Sequence, residues 1–254
     1  MNIAERHKLI IEKLNREGFV SVAELSKELN VTMVTIRKDL KMLENRKLLF
    51  RSHGSATPTS PYVTDRPVNE KRLVMVEEKK KIALKAASMV EEDDAIIIGS
   101  GTTVAELARS IPMSQKATVL TSAINVTLAL IDHLDIEIVQ LGGVIRKSSS
   151  SAVGHYAEEM LGNFSCSKLF LSVDGISPDF GLTTSNMMEA HLNVKMMNAV
   201  QKVIVLADSS KFGRKGFGKI CDIEDIDMVI TDAGIADLHL KRLEEMGIEV
   251  LIAE

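Results

Sequence analysis

Residues 76–254 alternate between short apolar segments and segments with helical periodicity, and this alternation constrains the fold more than any other feature. Strands are predicted at 95–98, 117–120, 136–140, 168–173, 203–206, 228–230 and 249–252. Helices are predicted near 79–89, 103–110, 124–132, 154–161, 187–200 and 236–246. Short apolar strands separated by helices are typical of a mostly parallel sheet with helices on both faces. We therefore predict an α/β fold for this region.

Small, hydroxylated or charged residues follow most of the predicted strands. They are Gly99-Ser100-Gly101-Thr102-Thr103, Thr121-Ser122-Ala123-Ile124-Asn125, Leu141-Gly142-Gly143, Asp174-Gly175, Asp208-Ser209-Ser210-Lys211 and Thr231-Asp232. The carboxyl ends of parallel strands meet at one edge of the sheet, and ligands bind there. The sequence therefore predicts one polar ligand site at this edge, although Asp and Ser also form turns and helix caps.

The loop at residues 99–103 is suited to bind an anion. Two glycines enclose Ser100, and Thr102 and Thr103 then begin a helical pattern. Glycine permits a tight turn, and the free N–H groups at a helix start attract negative charge. The alternative is an ordinary strand-to-helix turn with a threonine cap. Because the lysine and the spacing of a P-loop are missing, nucleotide hydrolysis is not predicted.

Composition excludes several classes of protein. The apolar share of 45% is ordinary for a globular protein. No apolar run approaches the roughly 20 residues that span a bilayer, and the first residues lack the apolar core of a signal peptide. Cys166 and Cys221 form neither a disulfide framework nor a metal-binding pattern. We predict a cytoplasmic protein with no metal, no cofactor and no membrane association.

The first 55 residues are basic in an otherwise acidic chain. They contain 11 Lys and Arg against 7 Asp and Glu, whereas the whole chain has a net charge of −4. A helix is predicted over 3–15, and Ser21 with Glu24 forms a capping-box sequence before a second helix at 22–29. Asn30 suits a left-handed turn, and Thr32 is the predicted cap of a third helix that extends to residue 44.

A short helix, a tight turn and a basic helix form the geometry of helix-turn-helix DNA readers. Residues 48–55 then predict a strand and turn, which would be the wing of a winged helix. Arg and Lys side chains can contact phosphates or guanine edges, and Thr can contact phosphates or a thymine methyl group. The candidate DNA-binding residues are Ser21, Thr32, Thr35, Arg37, Lys38, Lys41, Arg51 and His53. The alternative is a small helical bundle whose charges are solvated.

Three of the five prolines lie within residues 57–67. Proline fixes φ and stiffens a linker. The predicted organisation is therefore a winged helix-turn-helix domain at 1–56, a proline-rich linker at 57–75 and an α/β domain at 76–254.

Four N-terminal segments resemble the DNA-binding domain of the DeoR family of bacterial transcriptional regulators. They are Arg6-His7-Lys8, Val20-Ser21-Val22-Ala23-Glu24-Leu25, Thr35-Ile36-Arg37-Lys38-Asp39-Leu40 and Arg51-Ser52-His53-Gly54. The order of elements in 76–254 resembles the effector-sensing domain of the same family, which is similar in fold to ribose-5-phosphate isomerase. Ser55, Gly99 and Ser122 depart from the family pattern, which usually has Gly, Asp and Asn there.

The resemblance implies a repressor of carbohydrate metabolism genes that binds a double-stranded DNA operator and is relieved by a phosphorylated sugar or related metabolite. It implies that the effector is bound by Ser100, Gly101, Thr102, Thr103, Ser122, Asn125, Asp174, Glu189 and Lys211. Because DNA-binding dimers match two-fold operators, a homo-oligomer is expected.

Two other functions fit parts of the sequence. One is a sugar-phosphate isomerase with an N-terminal extension, in which Asp174 and Glu189 would transfer protons. The other is a scaffold whose helical N-terminus binds protein. Lys211 also has two interpretations, because it could bind the effector or be a solvated lysine in a loop.

Overall fold

The computed structural model describes residues 1–17, 19–46, 48–52, 54–57 and 65–254. The chain divides into two compact units, Met1–Val63 and Thr64–Glu254. The first unit is helical with a small antiparallel sheet. The second unit is built on a parallel sheet, so the predicted α/β fold is confirmed.

The first unit contains three helices and three short strands. They are α1 (Ile3–Glu17), β1 (Val20–Ser21), α2 (Val22–Glu28), α3 (Met33–Asn45), β2 (Phe50–Ser52) and β3 (Ser55–Thr57), and the strand order is β1-β3-β2. Apolar side chains from all three helices form one core, for example Ile10, Leu25 and Leu40, each at most 1% exposed. Helices α2 and α3 begin at the predicted caps. The Ser21 hydroxyl accepts a hydrogen bond from the Glu24 N–H, and the Thr32 hydroxyl accepts one from the Thr35 N–H.

A buried ion pair joins the first and third helices of this unit. Asp39 is 1% exposed and accepts hydrogen bonds from Arg6 Nε at 2.5 Å and Arg6 Nη2 at 3.0 Å. The ring Nε2 of His7 lies 3.2 Å from the same carboxylate. Buried charges need such partners, since removing one partner leaves the other uncompensated. The orientation of α1 on α3 therefore depends on Asp39.

The second unit contains a seven-stranded parallel sheet in the order β15-β14-β12-β9-β4-β5-β6. Its strands are β4 (Asp94–Ile98), β5 (Ala117–Thr121), β6 (Ile136–Gln140), β9 (Cys166–Ser172), β12 (Val200–Leu206), β14 (Met228–Asp232) and β15 (Glu249–Ala253). Each of the seven predicted strands forms within two residues of its expected bounds at each end, except that β12 begins three residues earlier. Alternate side chains pack on opposite faces, so Ile97 belongs to one core and Ile96 and Ile98 belong to the other.

Helices cover both faces of this sheet. They are α5 (Val76–Ala87), α6 (Thr102–Ser110), α7 (Ile124–Leu130), α8 (His155–Leu161), α9 (Met187–Asn198) and α10 (Asp237–Glu245). Ile82, Val104 and Val126 pack with Ile96, whereas Leu161, Ala190 and Leu243 pack with Ile97. The predicted doubly covered sheet is confirmed.

Five short strands of the second unit were not predicted. They are β7 (Val144–Arg146), β8 (Ser151–Val153), β10 (Gly175–Ser177), β11 (Gly181–Thr184) and β13 (Gly218–Cys221), and all pair antiparallel. Gly181 shows why such strands depend on tertiary structure. Its φ is +92°, and a Cβ there would lie 2.0 Å from the carbonyl oxygen of Cys221.

The second unit begins before the predicted boundary at residue 76. Helix α4 (Val68–Lys71) lies within the predicted linker, and the Val68 N–H donates to the Ser148 carbonyl at 2.6 Å. Asp65 accepts from Arg146 at 2.5 Å. The linker prediction of 57–75 therefore differs from the structure at 65–75, because polar contacts fix these residues to the sheet domain. Residues 58–64 lie outside the described part of the chain.

A buried lysine fixes the connection between α4 and α5, and it leads to a prediction about pH. Lys79 is 5% exposed, and its Nζ donates to the carbonyls of Lys71 at 2.7 Å and Val74 at 2.6 Å. Burial lowers the pKa of its ammonium group to about 8, with Asp208 opposing the shift. The unfolded chain therefore binds more protons than the folded chain between about pH 8 and the ordinary lysine value of 10.5.

In that window the contribution of Lys79 to the free energy of unfolding should rise with pH, by about 1–3 kcal/mol. Chemical denaturation at successive pH values should show this rise in the native protein and its loss in Lys79→Met. The matched control is Lys81→Met. It replaces an exposed lysine of the same helix and leaves Lys79 in place. Equal slopes for the native protein and Lys79→Met would contradict the interpretation.

Candidate functional site

A pocket opens at the carboxyl ends of β4 and β9, with a volume of about 520 Å³ when the open solvent at its mouth is included. Most of the residues that line it have polar side chains, and the lining consists of Val68, Lys71, Ser100, Gly101, Thr102, Thr103, Ser148, Ser149, Ser172, Val173, Asp174, Thr184, Glu189, Asn193 and Lys211. Seven of the nine residues expected to bind the effector are in this set. Ser122 and Asn125 are not.

One part of the lining is the serine–threonine loop, residues 99–103, which leads from β4 into α6. Gly101 has a φ of +137°, and a Cβ there would lie 2.6 Å from the Ser172 Cβ, so this position requires glycine. The first N–H groups of a helix have no partner within the helix, and no side chain caps α6 at Gly101. The loop therefore presents backbone N–H groups and hydroxyl groups to the pocket.

Lys211 supplies a positive charge to the same pocket. It ends a short 3-10 turn, Ser209–Lys211, which follows β12. The carboxylate of Asp208 accepts from the Ser210 N–H at 3.2 Å and so fixes the turn. A lysine and a helix start in one pocket are well suited to bind a phosphate group.

Asp174 and Glu189 form the carboxylate pair of the pocket. Asp174 accepts from Lys71 Nζ at 2.7 Å and from the Ser185 N–H at 3.0 Å. Burial alone would raise the pKa of Asp174, but the charge and hydrogen bond of Lys71 outweigh it, so the pKa is lower than usual. Glu189 is 6% exposed and accepts from Arg146 Nη1 at 3.1 Å. Both carboxylates are therefore paired with cations.

Ser122 and Asn125 do not reach the pocket because another segment lies alongside the end of β5. The Ala152 N–H donates to the Ser122 carbonyl at 2.8 Å, and the Ile124 N–H donates to the Ser150 carbonyl at 2.9 Å. Ser122 is consequently 1% exposed. Ser148 and Ser149, from the turn between β7 and β8, line the pocket instead.

Gly99, which departs from the family pattern, does not line the pocket either. A Cβ at this position would lie 3.4 Å from the Phe170 carbonyl oxygen and 3.6 Å from Leu171.

Lys71, Arg146 and Asn193 contribute to the site but were missed in the sequence. Lys71 and Arg146 lie on a short helix and a short strand that the hydrophobic pattern does not reveal. Asn193 could have been found, because it lies four residues after Glu189 and residues at this spacing share one face of a helix.

The predicted DNA-binding residues fall into two groups. Arg37, Lys38 and Lys41 are exposed on α3. Ser21 and Thr32 form the caps of α2 and α3, and Thr35 is half-buried with its hydroxyl 3.0 Å from that of Thr32.

Arg51 is hydrogen-bonded to Glu44 of α3. Its Nε donates to Glu44 at 2.8 Å and its N–H donates to the same carboxylate at 3.0 Å. This hydrogen bonding outweighs burial and lowers the pKa of Glu44. His53 lies outside the described residues.

The described residues contain neither a candidate metal site nor a candidate membrane-spanning helix. No group of three or more His, Cys, Asp or Glu side chains could hold a metal ion there. No helix among them is long and apolar enough to cross a membrane.

Comparison with known proteins identifies both units. The model of the DeoR-like helix-turn-helix domain matches residues 6–61, and that of the DeoR C-terminal sensor domain matches residues 74–233. A predicted aga operon transcriptional repressor of Escherichia coli O157:H7 is 36% identical to this chain. The aligned region covers 98% of this chain and 93% of the length of that repressor. The lactose phosphotransferase system repressor of Staphylococcus epidermidis is 31% identical and covers 99% of this chain and 100% of its own.

A solved structure, ribose 5-phosphate isomerase A from Methanocaldococcus jannaschii, is 15% identical over 54% of this chain and 55% of its own, with a TM-score of 0.39. A likeness of this size does not bear on activity. The relatives that match nearly the whole chain are regulators, which favours regulation over the isomerase alternative. The chain belongs to the DeoR family of DNA-binding transcriptional regulators.

Proposed function

We propose that the protein is a cytoplasmic repressor of carbohydrate metabolism genes, and that a phosphorylated sugar in the pocket of the second unit lowers its affinity for operator DNA. Arg37, Lys38 and Lys41 would contact the operator, and the further candidates for DNA contacts are Ser21, Thr32, Thr35, Arg51 and His53. Two relatives are named as repressors, one of them of a lactose phosphotransferase system.

The observation that carries this proposal is the composition of the pocket. The serine–threonine loop, a helix start and Lys211 suit a phosphate group. Asp174 and Glu189 suit the hydroxyl groups of a sugar, because carboxylates are strong hydrogen-bond acceptors. A phosphorylated sugar carries both kinds of group.

The segment at residues 65–71 would couple the pocket to the part of the chain that leads to the DNA-binding unit. In the sequence it directly follows the residues that join the two units. Lys71 and Val68 line the pocket, and Lys71 is ion-paired with Asp174. A ligand that binds Asp174 competes with Lys71 and so shifts the equilibrium between positions of this segment. The change in operator affinity equals the differential affinity of the ligand for the two states.

A homo-oligomer is part of the proposal. Helix-turn-helix regulators bind two half-sites that are related by two-fold symmetry, and one DNA-binding unit reads one half-site.

Substitutions in the pocket test the proposal. Lys211→Ala is expected to lower the affinity for a sugar monophosphate about tenfold or more, because a charge-assisted hydrogen bond is worth roughly 1.5–3 kcal/mol. Thr102→Ala should lower it by less, and Thr102→Ser should restore it. Isothermal titration calorimetry on the full chain gives these affinities.

The matched control is Lys241→Ala, an exposed lysine outside the pocket lining. The same variants should retain their operator affinity when no ligand is present. Unchanged sugar-phosphate affinity in Lys211→Ala would argue against this pocket as the effector site.

A further inference from the structure

Asn193 is a buried polar residue whose side chain is not paired with any other described residue. It lies on α9, is 5% exposed and lines the pocket. Within the described chain its carboxamide makes no hydrogen bond, whereas Glu189, one turn earlier, is held by Arg146 and by the hydroxyl of Thr184 at 3.1 Å. The Asn193 amide therefore faces the pocket with its donors and its acceptor available.

The Asn193 amide is open to the pocket, because neither of its polar atoms is among the fully buried unpaired atoms of the described residues. Most polar side chains that are as buried as Asn193 are hydrogen-bonded to protein or to ordered water, so this amide takes its partner from the pocket. Asparagine is also a weaker helix former than alanine, so helix stability does not favour it at this position. A bound molecule that pairs with the amide accounts for both features.

The charges around Asn193 limit what that molecule can present. Arg146 is shared between Glu189 and Asp65, and Lys71 is paired with Asp174. Lys211 and Arg214 also act on Asp174, so the carboxylate near Asn193 whose charge is least compensated is Glu189, which shares Arg146 with Asp65. A second anionic group on a ligand would therefore face negative charge here, whereas an uncharged hydroxyl or amide group would not.

We propose that Asn193 is a specificity-determining residue of the pocket, which hydrogen-bonds an uncharged hydroxyl or amide group of a sugar monophosphate and disfavours ligands with a second anionic group. This inference rests on the proposed function, because it assumes that the serine–threonine loop and Lys211 hold the phosphate. Asn193 would therefore contribute to binding of the sugar and not to binding of the phosphate.

Calorimetric titration of the full chain tests the proposal with four kinds of probe: pentose monophosphates, hexose monophosphates, inorganic phosphate and 6-phosphogluconate, which carries a carboxylate in place of the aldehyde of glucose 6-phosphate. Asn193→Ala removes the amide, and Asn193→Leu removes it while filling the space. His191→Ala is the matched control, because it is exposed on the same helix. Thermal unfolding without ligand checks that each variant is folded.

Both Asn193 variants are expected to bind the best sugar monophosphate about tenfold more weakly, which is the loss of one or two hydrogen bonds. Their affinity for inorganic phosphate should stay within about twofold of the native value. The native protein should bind 6-phosphogluconate at least about tenfold more weakly than glucose 6-phosphate.

Equal losses for phosphate and for sugar monophosphates, or no loss for either, would overturn the role of Asn193 alone. If the native protein binds no sugar monophosphate in the panel, the proposed function fails, and the role of Asn193 fails with it. The two failures are therefore distinguishable in the same titrations.

Discussion

Asp39→Ala is expected to lower the free energy of unfolding of the DNA-binding unit by about 3–5 kcal/mol, which is a large part of the stability of a small domain. The carboxylate is 1% exposed and neutralises Arg6, which is itself 8% exposed. Its removal leaves the guanidinium group buried without a counter-charge. The loss should be seen as faster hydrogen exchange of the backbone amides of α1 and α3.

A double variant separates the cost of an unpaired charge from the value of the ion pair. Arg6→Met with Asp39→Leu removes both charges, and such replacements of buried pairs are often neutral or stabilising. The double variant should therefore be more stable than Asp39→Ala. A loss below about 1 kcal/mol in Asp39→Ala would mean that Arg6 finds water or another partner, and that the pair does not fix α1 on α3.

Removing two exposed cations of α3 is expected to abolish most operator binding. Arg37→Ala with Lys38→Ala should weaken the affinity for an operator duplex by about 100-fold, since each contact to a base or phosphate is worth roughly 1–3 kcal/mol. The slope of log affinity against log salt should become shallower by about one for each lost phosphate contact. Fluorescence anisotropy at several salt concentrations measures both quantities.

Lys85→Ala, an exposed lysine of the second unit, is the matched control for this double variant. The calorimetric affinity for a sugar monophosphate should be unchanged when Arg37 and Lys38 are replaced. If these α3 variants and Thr102→Ala lose the same function, the separation of DNA binding from effector binding is contradicted.

The sequence was sufficient to predict the parallel sheet because a strand buried on both faces must be apolar along its length. Ile96, Ile97 and Ile98 are each 0% exposed, although they point to two different cores. The same rule cannot find β10, β11 or β13, which are short and contain Gly and Thr. Their positions depend on contacts far away in the sequence, such as the approach of Gly181 to Cys221.

The site was predicted in part for a related reason. A residue that directly follows a buried parallel strand lies at the ligand-binding edge, so Ser100, Thr102 and Asp174 could be found from the strands alone. Ser122 also follows a strand but does not line the pocket, because residues at the start of β8 and just before it hydrogen-bond to the chain after β5. Lys71 was missed because it reaches Asp174 from a segment that reads as linker.

The central claim is that a sugar monophosphate in this pocket lowers operator affinity, and one titration tests it directly. A duplex is selected from a random library by the full chain, and its dissociation constant is measured with and without a saturating sugar monophosphate. We predict an increase of at least about fivefold in the native protein, in the usual range of allosteric coupling. Lys211→Ala should show no increase at the same ligand concentration. An unchanged dissociation constant in the native protein, with the ligand shown by calorimetry to be bound, would contradict the claim.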